Sequence, residues 1–185
     1  MKRVLAVIAA AGVVMTGCGP LAREPDNLAL VRVLGVDGAG PVTLTGVCGG
    51  ANQQDVSRGS CRAETFGLAR ERLPGAGAEE LALTSVGYLL IGRDADLMAV
   101  LFAVLEDQEL GASATVWVTP NASAALDSCE DPATDLELLL RQNIQAPTAA
   151  QALAALSTEG EVVLPVVEAE AGRLSLRGET VWIAE

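Results

Sequence analysis

Histidine is absent from the 185-residue chain, and its one lysine is Lys2. That removes the usual base of a Ser or Cys triad, Schiff-base chemistry and the phosphate-binding lysine of a P-loop. Carboxylates are what remains, and they are densest in DSCEDPATDLE, which holds Asp127, Glu130, Asp131, Asp135 and Glu137. A calcium loop needs alternating oxygen ligands around a central glycine. This spacing lacks that pattern, so the acids read as helix caps and first-turn residues, with Asp131 or Thr134 starting the helix. Glu106-Asp107-Gln108-Glu109 likewise reads as the polar end of a helix. Glycoside cleavage by paired carboxylates calls for sugar-stacking rings, and the chain has two Trp, one Tyr and two Phe. The composition argues against an enzyme, and no cofactor or metal site is expected.

Among the four cysteines, Cys48, Cys61 and Cys129 contain no Cys-x-x-Cys pair and do not make a metal box. The Gly-rich stretch CGGANQQDVSRGSC reads as a flexible loop that would let Cys48 and Cys61 bridge in an exported protein. Free thiols packed as small apolar residues are the equal alternative. Cys18 stands apart. Met1-Lys2-Arg3 gives a positive end and Val4 to Met15 an uncharged apolar core, the layout of a secretory signal. The run is too short for a bilayer-spanning helix, which needs about 20 residues. Met15-Thr16-Gly17-Cys18 resembles a bacterial lipobox, with Met where Leu is usual. Residues 1–17 are therefore expected to be a cleaved signal, 18–27 a tether and 28–185 a folded domain. Cys18 is expected to carry diacylglycerol on sulfur and an acyl group on nitrogen, anchoring an exported protein at the outer face of the cell membrane.

Without the signal the chain holds 10 basic and 24 acidic residues, a net charge of −14. Such a chain has no electrostatic grip on phosphate backbones, which excludes nucleic acid, and anionic lipid would repel it. Membrane residence would fall to the acyl chains. Half the residues are hydrophobic but only 3% are aromatic, so a core of Val, Leu and Ala is expected.

The elements that must position these residues follow from periodicity. LALVRVLGVD, from Leu28 to Asp37, reads as a strand, and PVTLTGVC as its hairpin partner across a turn at Asp37-Gly38. Thr65 should cap a short helix over FGLARERL, and Glu80 to Asp94 reads as one long strand. Leu97, Val100, Leu101, Val104 and Leu105 give a helical stripe, and ATVWVTP closes a βαβ unit with parallel strands. Short helices are expected from Asn121, from Asp135 to Asn143, and in TAAQALAAL with Pro147 in the first turn. A final hairpin turns at Ala171-Gly172, and Pro165 places its strand at an edge or on a bulge. Both tryptophans fall in strands and read as core. The fold class is α/β of the α+β-like kind: a mixed sheet with an N-terminal hairpin, a βαβ unit, packed helices and a C-terminal β-hairpin.

In their order, several segments resemble the Ger(x)C family, the lipoprotein subunit of spore germinant receptors. A lipobox cysteine is followed by Arg23-Glu24 and then NLALVRVLGVD, similar to the family's first strand. AETFGLARERL is similar to its Thr-led helix, and LTSVGYLLIGRDADLMAVLFAVLEDQELGASATVWVTPNASAAL to its strand, helix, acidic turn and strand. LPVVEAEAGRLSLRGETVWIAE is similar to its last hairpin. The resemblance runs from Cys18 to about Ile183. Family members are about twice this length, so it concerns their N-terminal part, and Glu106-Asp107 stands where the family has Arg-Asp. The resemblance implies a non-catalytic, lipid-anchored subunit that works with membrane-embedded germinant-receptor subunits at the inner spore membrane during nutrient-induced germination. Cys18 is the one functional residue it carries over. The alternative is a stand-alone surface lipoprotein that binds a small ligand or a protein.

Overall fold

The computed structural model describes residues 28–49, 56–74 and 80–184. Eight strands form a single mixed sheet: β1 Leu28–Asp37, β2 Val42–Gly49, β3 Val56–Ala63, β4 Glu80–Ala82, β5 Tyr88–Gly92, β6 Thr115–Thr119, β7 Glu161–Glu170 and β8 Arg173–Ile183. The order is β3-β2-β1-β5-β6-β7-β8, with β4 pairing β1 beside β5. Strands β1, β5, β6 and β7 run parallel in the middle, and antiparallel hairpins finish both ends.

The helices are α1 Phe66–Glu71, α2 Leu97–Glu106, α3 Ala122–Ser128, α4 Pro132–Arg141 and α5 Ala149–Glu159. Apolar residues of α1, α2 and α5 pack on one face of the sheet, around Leu34, Leu89, Ile91 and Leu164. Those of α3 and α4 pack on the other, around Val33, Leu90, Trp117 and Val167. Central strands covered on both sides must be apolar throughout, which is why VLGV in β1 and LLI in β5 show no polar alternation. Each helix starts on a residue that suits it. Thr65, Asp96, Asn121 and Asp131 accept from a backbone N–H three residues on, and Thr148 with Gln151 completes a capping box.

Several expectations need correction. The stretch from Glu80 to Asp94 is two strands separated by a 3₁₀ turn at Leu83–Ser85, where Val86 N donates to the Leu83 carbonyl. The stretch read as a loop between Cys48 and Cys61 contains most of β3, which pairs with β2 along its whole length. Helix α4 begins at Pro132 rather than Asp135, although the cap at Asp131 is one of the two starts expected for it, and Pro147 precedes α5 instead of opening it. Strand β7 is interior, between β6 and β8, and Pro165 sits next to a register shift at Val166/Val167. The bulge reading of Pro165 holds and the edge reading does not. Its ladder to β6 is a single pair, Val118 with Val166, so a missing N–H at Pro165 is tolerated. The turn at Ala171-Gly172 has φ of 50° and 81°, the two-residue hairpin geometry that favours glycine.

Candidate functional site

Cys18 lies outside the described residues, as do the rest of the signal and tether. The register separates the other two cysteines proposed as a pair. Cys48 stands opposite Ser57 and Cys61 opposite Leu44. Four positions along a strand amount to about 13 Å, whereas a disulfide needs Cα atoms within about 7 Å. The bridge is therefore set aside in this fold: β2–β3 pairing, which the loop reading did not anticipate, holds the two sulfurs apart. Cys129 is buried behind α3, and burial pushes its thiol up to about 11; the Asp135 carboxylate adds to the rise and the Arg58 guanidinium opposes it.

The acidic segment does not converge. Asp127 and Glu130 are exposed, and Asp131 is spent on Thr134, accepting from its N–H at 3.1 Å and its hydroxyl at 2.6 Å. Asp135 is buried, accepting from Arg173 Nε at 3.0 Å and Leu174 N at 2.8 Å, so it pins α4 to the start of β8. Glu137 pairs with Arg141 at 2.6 Å and faces Arg32 at 3.9 Å. Asp107 and Glu109 hold Arg70 of α1 at 2.8 and 2.7 Å. Among the described residues no three side chains of metal-ligating type gather.

The tightest polar cluster is one the sequence reading passed over. Asp37, at the end of β1, is 5% exposed. Its Oδ1 accepts from Ala122 N at 2.6 Å, and its Oδ2 from Ser123 N at 2.8 Å and Ser123 Oγ at 2.7 Å. The Ser123 hydroxyl lies 2.9 Å from Thr45 Oγ1, which donates to Ser60 Oγ at 3.2 Å. A chain of polar groups thus runs from β1 through α3 to β2 and β3. Close approach makes it possible. A Cβ on Gly92 would sit 2.1 Å from Asp37 Oδ1, and one on Gly35 would sit 2.6 Å from Leu126 Cδ1. In open α/β sheets, ligands favour the crevice at the carboxyl ends of the parallel strands. Here a side chain of the protein itself takes the backbone donors of α3 at that end, and the arrangement is structural.

Arg58, in a Gly- and Ser-rich stretch, has a matching role. It donates from Nε to the Leu126 carbonyl at 2.9 Å and from its terminal nitrogen to the carbonyls of Cys129 and Glu130, closing the other end of α3. The signal for Asp37 was an acid directly after the apolar run VLGV, just before a glycine. Arg58 gave none, because its partners are carbonyls remote in sequence.

Clefts also open on the surface of the described residues, two of them beside the elements already named. One, of about 440 Å³, is lined by Leu30, Arg32, Val47, Asp131 and Glu137, whose charged groups are already paired or capping. The other, of about 540 Å³, lies between the start of α2 and the end of β8 and is lined by Met98, Ala99, Leu156, Trp182 and Ile183, with Asp96. Trp182 is half-buried there and packs against the core, unlike the fully buried Trp117.

No family model matches the chain, and no curated protein matches it. Among solved structures it is similar to the crystal structure of the GerBC protein, with a TM-score of 0.40 and 16% identity. The match covers 85% of this chain, which spans 50% of that one. A similarity of that size is loose and assigns neither activity nor partner.

Proposed function

We propose that the chain is a lipid-anchored, non-catalytic subunit of a spore germinant receptor, held at a membrane by acyl groups on Cys18 and acting beside membrane-embedded subunits in nutrient-induced germination. The observation that carries this reading is the ordered run of segments from Cys18 to about Ile183 that resembles the N-terminal part of Ger(x)C proteins. The arrangement of the buried acids is in keeping with it, since Asp37 and Asp135 each hold secondary-structure elements together. No helix among the described residues is long and apolar enough to cross a membrane; in this reading attachment is through the acyl groups on Cys18.

The test is metabolic labelling with a fatty acid, followed by membrane fractionation and affinity purification. The wild-type chain is expected to label, to fractionate with membrane and to bring down a multi-spanning receptor subunit; Cys18→Ala is expected to lose the label and leave the membrane. A Cys18→Ala chain that still labels and stays on the membrane would refute the anchor. Labelled wild-type chain that recovers no receptor subunit would favour the stand-alone lipoprotein instead.

A further inference from the structure

We draw no further inference here: the strongest candidate, the apolar surface patch that α2 and the end of β8 present with the exposed Phe102 and Ile183, carries none because nothing in the structure shows what covers it.

Discussion

Replacing Asp37 with Asn should cost about 3 kcal/mol of folding stability, although the two side chains have nearly the same shape. The buried carboxylate accepts three hydrogen bonds, from Ala122 N, Ser123 N and Ser123 Oγ, all between 2.6 and 2.8 Å. Asparagine keeps one acceptor oxygen, and its NH₂ must then point at a group that is itself a donor. One buried N–H loses its partner, at about 1–3 kcal/mol, and the surviving bonds lose the charge that strengthens them. For a domain of this size about 3 kcal/mol corresponds to a fall in Tm of roughly 6–12 °C. Equilibrium urea unfolding measures it directly, with the slope expected to stay constant because the surface exposed on unfolding is the same. Ser123→Ala removes one of the three bonds and should cost about 1 kcal/mol. Gly92→Ala is the sharper companion, because its Cβ would lie 2.1 Å from Asp37 Oδ1 and must push the carboxylate off α3. Its effect should therefore overlap that of Asp37→Asn, the double variant losing clearly less than the two single losses combined. A loss below about 1 kcal/mol for Asp37→Asn, or full additivity with Gly92→Ala, would refute the view that this carboxylate holds α3.

Other substitutions and conditions have equally definite outcomes. The thiol of Cys129 is raised by burial from 9.0 to about 11, so above pH 9 the unfolded chain releases this proton while the folded chain keeps it. Stability from this group is complete below pH 9 and lost as pH rises towards 11, by up to about 2–3 kcal/mol; denaturation across that range should show the fall in wild type and less of it in Cys129→Ser. Peptide mapping without reductant should find no Cys48–Cys61 linkage, and thiol reagents at pH 8 should label the half-buried Cys61 before the buried Cys129. Arg173→Ala leaves the buried Asp135 with only the Leu174 N–H, and should destabilise by about 2 kcal/mol in urea unfolding, more than Arg141→Ala at the exposed Glu137 pair.

What was legible in the sequence is what local pattern determines. The run LALVRVLGVD read as a strand from its branched and apolar residues, and Leu97, Val100, Leu101 and Val104 fixed the inward side of α2. Asn121 and Thr65 announced their helices because a cap is a bond between neighbours. Strand β3 was not legible: VSRGSCRA is rich in small and charged residues, and it is a strand because β2 offers an edge of eight residues for it to pair with. The long apolar stretch after Glu80 misled for the opposite reason. Continuous hydrophobicity there serves β4, a turn and β5, since Leu83 and Val86 are buried as part of the turn itself. Likewise, among the acids of DSCEDPATDLE the capping role of Asp131 was legible because its partner Thr134 is three residues away, whereas the use of Asp135 was not, since Arg173 and Leu174 are remote in sequence.

The same distinction explains why the carboxyl edge of the sheet holds α3 so closely. Helix α3 has seven residues, too few to be stable alone. It survives because Asp37 takes the donors at its start, Arg58 takes carbonyls at its end, and Gly35 lets its underside approach the sheet. Asp37 and Gly35 come from β1 and Arg58 from β3, while Gly92 of β5 leaves the room that Asp37 needs. A crevice that would otherwise admit a ligand is thereby converted into a joint between the N-terminal hairpin and the parallel centre. The surface left for recognition is then at the flanks, where α2 and β8 leave apolar side chains uncovered. On that account, loosening the joint with Asp37→Asn should unfold the chain at lower denaturant, whereas Phe102→Glu, on the exposed side of α2, should leave the urea midpoint nearly unchanged.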